Sequence, residues 1–584
     1  MPPVKYAVPT IVFTTVVGLA FVIPPYFVYL ATSGVITAII VRSLGVVTGQ
    51  AGLISLCHMA FAAIGAWIVS WIGIYAPQVP FLLALTLGGC AGMLAGVVVG
   101  LPALRLRGLN LAAITLTFAV AVDAILTTTG FPGNELVVAF HPPYPFSDPR
   151  VFLAFCIVLW TLMSIGMSWL AQAQTGRTWA ALNYSERATA SAGISVATAK
   201  VTAFSISAAI AGVAGGLMAA QLGVMTASNF SPLYSLSVFA LSVFVGGRYW
   251  EGTILAGFLS VAVPELLRLF GLPLDLEALV VTAGAIDALR KGSSLSQSLR
   301  QSIAKRAKSK ASALAKPARV SQQAQSSRQL DLGIAATGGI EIDGAEHCKK
   351  SAVLEIAELT VRYGEVIAVD RLNIRLRPRG IMGLIGPNGA GKFTIVDAVT
   401  GFLPHATGSI KLNGANVSEL AAFRRAKVGI RRTFQQGRAI PELTVGQYLR
   451  LSAGRSIADW QIDSILEYLD CPSADTLIGD VEIGLRRVIE IGACLASSPK
   501  VLLLDEPAAG MSGDQSQKLA EHIAKIPKLF GCAVLLVEHD MDLVRYVCEE
   551  ITVLNFGKVI AVGCPERVLK KPHVVEAYLG GISS

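Results

Sequence analysis

One short segment in the second half of the chain has the residue types of a phosphate-binding loop. It consists of Gly386, Pro387, Asn388, Gly389, Ala390, Gly391 and Lys392. The segment follows an apolar, strand-like run and precedes a helical pattern, which is the setting that makes such a match credible. Its glycines let backbone N–H groups point at phosphate oxygens, and the following helix adds a favourable dipole. Lys392 would reach the β- and γ-phosphates of a nucleotide; the alternative is a glycine-rich turn with a chance lysine.

The position after Lys392 departs from the usual loop. A Ser or Thr normally stands there and its hydroxyl binds Mg²⁺, whereas this chain has Phe393, which carries no oxygen. Thr394 comes next, but one residue along a helix is a rotation of about 100°, so we expect its hydroxyl to point elsewhere. Nucleotide binding through the loop and Lys392 is therefore predicted, while Mg²⁺-dependent hydrolysis is left open.

Two further apolar strands end in residues that suit nucleotide hydrolysis. The first leads into Asp505 and Glu506, and the next leads into His539. Asp505 is placed to hold Mg²⁺, and Glu506 to orient or deprotonate an attacking water. His539 is predicted to contact the γ-phosphate. Acidic residues and single histidines at strand ends are often only structural, but their order after a phosphate-binding loop favours the functional interpretation.

The composition divides the chain into two unlike parts. Charged residues make up 15% of the 584 residues, whereas soluble domains carry about 25%, and the 53% of hydrophobic residues excludes a disordered or collagen-like chain. Arg42 is the only charged side chain over residues 6–104, and residues 201–247 contain none. Charges return after about residue 354. The pattern predicts a membrane domain followed by a soluble domain.

The apolar stretches predict an N-terminal all-α polytopic membrane bundle of about eight to ten transmembrane helices, because a span needs about 20 mostly apolar residues. The candidate spans are 8–30, 35–47, 53–74, 81–101, 109–128, 151–170, 201–222, 236–246 with its flanks, and 254–272, and a further apolar stretch covers 279–289. Later strand and helix patterns predict a C-terminal α/β P-loop domain with a mostly parallel sheet. We place the membrane domain at 1–291, a basic, flexible linker at 292–352 and the nucleotide-binding domain at 353–584.

The positive charge of the chain indicates its orientation. Much of the net charge of +9 lies near the joint between the two parts, and basic residues beside a last span mark the cytoplasmic side. They can also contact anionic lipid headgroups of the bilayer. No recognition motif accompanies them, so no nucleic-acid partner is expected. The nine cysteines contain no C-x-x-C pair and are interpreted as reduced packing residues.

Residues 353–581 resemble the nucleotide-binding domains of ABC transporters, and more narrowly those of branched-chain amino-acid (Liv-type) importers. The resemblance is carried by RTFQ ending at Gln435, PELTV over 441–445 and DEPAAGM over 505–511. It implies ATP and Mg²⁺ as cofactors. It also implies that Gln435, the Q-loop residue, senses the γ-phosphate and helps to hold the metal, and that Tyr363 stacks on adenine. A packing role at a strand end is the alternative for Tyr363.

Residues 10–290 resemble the permease of the same importer systems. The matching patches are GLISLCHMAF over 52–61, LRLRG over 104–108, SERA to AGI over 185–194, VGG over 245–247 and PELLR over 264–268, in the family's order. The third patch is similar to the cytoplasmic coupling loop. Glu186, Arg187 and Gly193 are therefore expected on a short amphipathic helix that sits in a groove of an ATPase domain near its Q-loop, with an ordinary loop as the alternative.

Two ionisable side chains in the predicted spans are candidates for a substrate pathway. Such groups in spans usually face a protein interior or water. His58 is either a core histidine with satisfied hydrogen bonds or a substrate contact. Asp123 is the more informative of the two candidates, since a carboxylate needs a polar environment within the membrane.

The signature motif of the family is altered in this chain. The family pattern LSYGQ-QRRLEIA aligns with residues 481–491. Gly484 is kept, but Glu482 replaces the Ser that hydrogen-bonds the γ-phosphate held by the opposite subunit, and Ser512 replaces the usual D-loop Asp or Asn. A carboxylate and a phosphate repel each other, and at low dielectric this repulsion costs roughly several kcal/mol of binding free energy. Phe393 and Glu482 thus weaken the two composite ATP sites of a dimer.

The resemblance implies a fused permease and ATP-binding subunit of a bacterial ABC importer. It would take up branched-chain amino acids or related small polar solutes delivered by a periplasmic solute-binding protein. Its partners would be a second permease subunit and a second ABC ATPase subunit. Its place would be the inner membrane, with the ATPase domain in the cytoplasm. The alternative is a permease fused to a degenerate, non-hydrolysing nucleotide-binding scaffold, and the importer-like coupling loop disfavours an exporter half.

Overall fold

A computed structural model describes residues 24–103, 106, 108–133, 138–273, 276–300, 302, 352–403, 405–435 and 438–579. The first part is a helical bundle. Its helices are α1 Pro25–Gly45, α2 His58–Tyr75, α3 Phe81–Ala103, α4 Leu109–Thr129, α5 Pro149–Gln172, α6 Gln174–Tyr184, α7 Glu186–Ser191, α8 Val196–Leu222, α9 Pro232–Val245, α10 Trp250–Leu269 and α11 Leu276–Lys291. Among the described residues, eight helical segments are long and apolar enough to cross a membrane, which agrees with the predicted bundle.

Helix α1 corrects the prediction of two separate spans over 8–30 and 35–47. Only the last residues of the first span are described, and the helix runs without a break through the predicted gap to Gly45. The polar residues of the gap do not interrupt it, because a hydroxyl can bond to the backbone of the preceding turn. Thr32 does so, donating to the backbone oxygen of Val28 at 2.8 Å.

Helix α10 begins four residues before its predicted span, without a side-chain capping hydrogen bond, whereas α9 begins in the flank that the prediction included. Helix α9 starts at Pro232 and α10 at Trp250. The Ser231 hydroxyl accepts a hydrogen bond from the backbone N–H of Tyr234 at 3.2 Å, which is a preferred way to begin a helix. The apolar stretch predicted over 279–289 is the amphipathic helix α11, which is not among the eight membrane-spanning candidates.

Small residues bring the central helices α2, α3 and α8 into close contact, as the Gly- and Ala-rich sequence predicts. A Cβ atom at Gly65 would lie 2.0 Å from the backbone oxygen of Gly212. A Cβ atom at Gly215 would lie 1.8 Å from the backbone oxygen of Ala62. Neither position has room for a side chain, so direct contact between backbones requires glycine at both.

The C-terminal domain contains two sheets. The antiparallel sheet has the order β2 Val366–Leu376, β1 Leu354–Tyr363, β4 Thr407–Leu412, β5 Ala415–Asn416. The second sheet has the order β10 Lys558–Gly563, β9 Glu550–Asn555, β3 Ile381–Ile385, β8 Ala533–Val537, β7 Val501–Asp505, β6 Ile430–Arg432. All of its pairings except β9 with β10 are parallel, which confirms the predicted core sheet.

Helices flank the second sheet and leave one of its edges to the candidate site. They are α12 Lys392–Thr400, α13 Ala422–Val428, α14 Val445–Ala453, α15 Asp459–Tyr468, α16 Ile483–Ala496, α17 Gly513–Phe530, α18 Met541–Val547, α19 Pro565–Val568 and α20 Pro572–Leu579. Strands β3, β8 and β7 are adjacent and parallel. Their carboxyl ends therefore meet at one edge, the usual place for a ligand in a sheet of this type.

The predicted linker is described mainly at its first residues, and these pack against the membrane domain. Residues 295–300 are helical. The Ser296 hydroxyl donates to the backbone oxygen of Val245, and Arg300 forms two hydrogen bonds of 2.8 Å to the carboxylate of Glu251. The start of the 292–352 segment is thus attached to the membrane domain, and the domain boundaries remain predictions.

Candidate nucleotide site and its junction with the membrane domain

The phosphate-binding loop joins β3 to α12. Gly389 and Gly391 have φ angles of 82° and 100°, in the backbone region that favours glycine. Lys392 folds back over the loop, because its Nζ donates to the backbone oxygens of Gly386 at 2.6 Å and Pro387 at 2.9 Å. Burial lowers the pKa of the Lys392 amine, while the carboxylates of the site oppose that shift. The loop therefore holds its only lysine directly over the turn where phosphates would bind.

Phe393 lies in the first turn of α12 and brings no oxygen to the site. Its side chain is 39% exposed, and Thr394 is half-buried at the next position. A Mg²⁺ ion at this loop would therefore depend on oxygens from other elements.

The three predicted catalytic residues meet around one carboxylate. Oε2 of Glu506 accepts a hydrogen bond from Nε2 of Gln435 at 2.7 Å, and its Oε1 lies 3.0 Å from Nε2 of His539. Glu506 has a φ of 45°, a strained conformation for a residue other than glycine. Two neighbours thus orient the carboxylate, which is the arrangement a general base needs.

Asp505 supplies an oxygen suited to a metal. Its Oδ2 lies 3.2 Å from Nη2 of Arg432, while its Oδ1 is buried without a hydrogen-bond partner in the described part of the chain. Mg²⁺ binds carboxylate and amide oxygens, and Gln435 uses only its Nε2 on Glu506. Burial raises the pKa of Asp505 to about 6, with Arg432 opposing the shift. Asp505 and Gln435 therefore fit a Mg²⁺ ion, and Phe393 does not.

Arg432 has a role in the site that the sequence did not indicate. Its side chain is 5% exposed and its two terminal nitrogens pair with Asp397 and Asp505. The guanidinium also lies 4.5 Å from the ring centre of Phe434. A buried charge is costly unless it is paired, and here the partners are a carboxylate of α12 and the candidate metal ligand. The feature of the sequence that could have indicated this role is an arginine in the buried strand β6.

Glu490 ties the Q-loop to helix α16. Its carboxylate accepts hydrogen bonds from the backbone N–H groups of Phe434 and Arg438, both at 2.9 Å. Because these residues flank Gln435, one buried side chain fixes both ends of the loop. Burial raises the pKa of Glu490 to about 7, although the two hydrogen bonds lower it. The sequence placed Glu490 in the signature helix without showing this function.

Helix α7 lies against the ATPase domain beside the Q-loop. Arg438, at the end of that loop, donates to the hydroxyl of Ser185, the residue that caps α7. Arg431 donates to the backbone oxygen of Ser191 at 2.9 Å. A Cβ atom at Gly193 would lie 3.4 Å from a side chain of α13. The short helix expected from the resemblance is thus present and contacts α13 and the Q-loop, but Gly193 lies in the turn after it and not on it.

The two charged residues of α7 face different partners. Nη1 of Arg187 lies 3.4 Å from Oδ2 of Asp397, and its guanidinium lies 5.7 Å from the ring centre of Phe402. Glu186 pairs with the buried Lys200 of α8 at 2.9 Å. Arg187 therefore contacts the ATPase domain, whereas Glu186 attaches α7 to the membrane domain.

A second contact joins the two domains away from α7. Arg248, between α9 and α10, donates from two nitrogens to the carboxylate of Glu442, at 3.0 Å and 2.8 Å. Glu442 belongs to the PELTV segment that follows the Q-loop. Two parallel hydrogen bonds fix direction as well as distance, so the ATPase domain is attached at two separate points.

The other predicted ATP-site residues lie at accessible positions. Glu482 precedes α16, is exposed and makes no capping hydrogen bond with its side chain, and Gly484 is half-buried in the first turn. A helix N-terminus favours a bound anion, so a phosphate from an opposite subunit would meet the Glu482 carboxylate. Tyr363 ends β1 and is 53% exposed, which leaves its ring accessible for stacking.

His58 and Asp123 have different surroundings. His58 begins α2 and is buried, with Nδ1 3.1 Å from Oγ of Ser55 and Nε2 2.6 Å from Oγ of Ser207. Both ring nitrogens are satisfied, which is the arrangement of a core histidine. Asp123 is half-buried on α4 and remains the candidate for the substrate pathway.

Two family models match the chain. The model of the branched-chain amino acid transport system permease component matches residues 26–286, and the ABC transporter model matches residues 369–509. The high-affinity branched-chain amino acid transport ATP-binding protein BraF of Pseudomonas aeruginosa is 33% identical over 249 residues, which are 39% of this chain and 98% of BraF. The chain belongs to the branched-chain amino-acid ABC transporter family.

This ABC transporter chain is a fusion of a permease domain and an ATPase domain, and it is a multi-pass membrane protein. The ATP-binding protein LivG of Escherichia coli K12 is 34% identical over 249 residues, 39% of this chain and 98% of LivG. The crystal structure of an ABC transporter cassette in its ADP conformation is 28% identical and covers 39% of the chain and 99% of the cassette, with a TM-score of 0.36. Membership of the family makes the second domain a nucleotide-binding transport ATPase.

Replacing Phe393 with Thr is expected to raise the Mg²⁺-dependent ATP turnover of the assembled ABC transporter. The new hydroxyl would supply the metal ligand that normally follows the loop lysine. We expect a gain of about tenfold, the equivalent of roughly 1.4 kcal/mol in the barrier, together with a lower half-saturating Mg²⁺ concentration. Thr394→Val is the control, since it removes only the adjacent hydroxyl. Equal rates in wild type and Phe393→Thr would contradict this interpretation of position 393.

Proposed function

We propose that the chain is the fused permease and ATP-binding subunit of a bacterial importer for branched-chain amino acids or related small polar solutes. The observation that carries the proposal is the position of α7. Its cap, Ser185, is held by Arg438, and Arg438 ends the loop in which Gln435 contacts the candidate base Glu506. The membrane domain and the nucleotide site therefore share a contact path. The names of BraF and LivG support the substrate class.

These contacts support the following transport cycle. The phosphate-binding loop and Lys392 bind ATP, and the ATPase domain closes against a second one. Closure moves the Q-loop, and Arg438 transmits that movement to α7, so the permease changes from inward-facing to outward-facing. Glu506 then takes a proton from the attacking water, while Gln435 and His539 hold the carboxylate in place. A Mg²⁺ ion held by Asp505 and Gln435 would neutralise phosphate charge.

The importer needs further subunits. The resemblance implies a second permease, a second ABC ATPase and a periplasmic solute-binding protein, in the bacterial inner membrane with the ATPase domain in the cytoplasm. Glu482 and Gly484 at the start of α16 would face the nucleotide of the second ATPase. Charge repulsion at Glu482 would weaken that composite site, as the missing hydroxyl at Phe393 would weaken the other.

Uptake into proteoliposomes tests the proposal. The transporter would be reconstituted with its partner subunits, with the solute-binding protein outside and ATP inside. We expect ATP-dependent accumulation of leucine, isoleucine or valine, and none when Lys392 is replaced by Ala. ATP-driven efflux would contradict the importer assignment, and ATP hydrolysis stimulated only by solutes of another class would contradict the substrate class.

A non-hydrolysing scaffold is the second candidate function for the ATPase domain. Phe393 removes a metal ligand and Glu482 places a carboxylate where a phosphate would bind. Against it stands the intact cluster of Gln435, Glu506 and His539. A domain that only binds nucleotide does not need an oriented carboxylate beside its phosphate loop, so we favour hydrolysis.

A further inference from the structure

A groove on the membrane domain is lined by one face each of α1, α5 and α10. It encloses about 450 Å³, and its walls include Phe27, Gly34 and Ala38 of α1 and Ile254 and Phe258 of α10. Apart from Glu265 at one end, every side chain that lines it is apolar. The α1 residues recur at the spacing of one helix face, so the groove runs along the helix axis.

A basic cavity adjoins the groove on the same three helices. That cavity, of about 300 Å³, is lined by Arg42, Arg248, Arg300 and Gln50 and by polar residues of α5 that include Ser164. Trp160 lines both cavities, so the apolar groove and the basic cavity meet at this side chain. Arg42 follows Ala38 by one helical turn on α1. Together, the groove and the cavity offer apolar and basic walls, which suit an amphipathic, anionic molecule.

One arginine of the basic cavity has no carboxylate paired with it among the described residues, although the charge of Glu251 acts on it from a distance. Arg248 is paired with Glu442, and Arg300 with Glu251. Arg42 is 3% exposed and donates to the backbone oxygen of Arg248, but no carboxylate in the described part of the chain pairs with it. A buried, unpaired charge in a membrane protein is costly unless a ligand compensates it.

Three buried polar atoms at this end also lack partners in the described residues. They are Nε of Arg42, Oε1 of Gln50 and Oγ of Ser164. All three residues line the basic cavity. Buried polar groups are nearly always hydrogen-bonded, so their arrangement around one space indicates a ligand with several acceptor and donor atoms, such as a phosphate ester and its glycerol hydroxyl groups.

The dimensions and the position of this space suit a membrane lipid. From Arg42 to Phe27 there are 15 residues along α1, or roughly 22 Å at 1.5 Å per residue, more than the depth of one leaflet in a hydrocarbon core of about 30 Å. Its basic end lies beside Arg248, which contacts the ATPase domain, and therefore at the cytoplasmic surface. Phe27 and Phe258 are more than half exposed, so the groove opens sideways toward lipid.

We propose that Arg42 and the cavity around it bind the phosphate group of an anionic glycerophospholipid of the cytoplasmic leaflet, with an acyl chain along the groove of α1, α5 and α10. Basic pockets between helices on the cytoplasmic side are known to take such headgroups. The bound lipid sits behind Arg248 and stiffens the attachment of the ATPase domain through Glu442. The site is separate from the nucleotide site and does not depend on the identity of the transported solute.

Thermal unfolding with defined lipids tests the proposal. The delipidated full chain in detergent would be titrated with phosphatidylglycerol, phosphatidylcholine or inorganic phosphate, and the unfolding midpoint recorded. We expect phosphatidylglycerol to raise the midpoint at about fivefold lower concentration than phosphatidylcholine. This preference corresponds to the attraction of about 1 kcal/mol between one basic residue and an anionic lipid. Arg42→Gln should abolish that preference. Arg290→Gln removes the same charge from an exposed position on α11 and should keep the preference for phosphatidylglycerol.

A second variant keeps the test decisive if Arg42→Gln does not fold. Ala262→Trp fills the groove at a distance from Arg42 and should remove protection by phosphatidylglycerol. Protection by inorganic phosphate alone, unchanged in Ala262→Trp, would identify a soluble anion and overturn the lipid assignment. The proposal would be overturned if the wild type showed no lipid preference, which is the result expected when a protein segment covers the groove. It would also be overturned if Arg42→Gln showed the same preference as the wild type.

Discussion

Replacement of Glu506 by Gln is expected to lower the Mg²⁺-ATP turnover of the assembled transporter by about 10²-fold or more, the usual contribution of a general base. The amide has nearly the same shape as the carboxylate, so it can keep the hydrogen bond to Gln435, which is 2.7 Å long in the unchanged protein. It cannot accept a proton from the attacking water. The φ of 45° at this position also stays as it is. The variant therefore changes chemistry with little change in structure.

The measurement for Glu506→Gln is phosphate release together with nucleotide binding. Binding of a fluorescent ATP analogue should be retained, because Lys392 and the loop are untouched. Glu521→Gln is the matched control, since this carboxylate is exposed on α17 and should leave turnover unchanged. An unchanged rate in Glu506→Gln would mean that hydrolysis belongs to the second ATPase and that this domain is a scaffold.

Replacement of Gly193 by Val is expected to lower uptake per ATP hydrolysed by about tenfold. Gly193 has a φ of 79°, so a β-branched side chain there is strained by about 1–3 kcal/mol. Its Cβ would lie 3.4 Å from Lys427 and 3.5 Å from the guanidinium of Arg431, and the additional methyl groups would push α7 away from the ATPase domain. ATP turnover should continue, because no group of the nucleotide site changes.

Gly414→Val separates the effect of contact from that of strain. Gly414 has a φ of 80° and no atom within 4 Å of a built Cβ, and it lies in the turn between β4 and β5. Both variants should lose similar thermal stability, but only Gly193→Val should uncouple uptake from hydrolysis, measured as the ratio of solute to phosphate in proteoliposomes. Equal uptake ratios in the two variants would show that the contact of α7 with α13 is not needed for transport.

The sequence was sufficient to predict a residue's position where that position depends on its place at the end of a strand. The phosphate-binding loop, Asp505, Glu506 and His539 each follow a buried strand of one parallel sheet, and adjacency of those strands brings the residues together without further information. The membrane helices were predicted from apolar length alone. The break predicted within α1 was wrong because a hydroxyl can bond to the preceding helical turn, and hydrophobicity likewise does not report the serine cap that begins α9.

The roles of Arg432, Glu490 and Arg42 could not be predicted, since each depends on partners distant in sequence. Arg432 contacts Asp505, 73 residues away, and Glu490 holds backbone groups more than 50 residues away. The basic cavity around Arg42 combines helices from both ends of the membrane domain. A local sequence pattern reflects the environment of one helix or strand, whereas these sites form only where several helices and strands pack together.

The position of Asp397 has a thermodynamic consequence. Its carboxylate is shared between Arg187 of α7 and Arg432, and Arg432 in turn contacts Asp505. The electrostatic energy of Asp505 thus includes a contribution from the membrane domain through Asp397 and Arg432, a path separate from the contact of Arg438 with Ser185. Any ligand of Asp505 therefore alters the docking free energy of α7 by the same amount that docking alters the affinity for the ligand. We therefore expect metal binding at Asp505 and docking of α7 to be coupled through the shared carboxylate of Asp397.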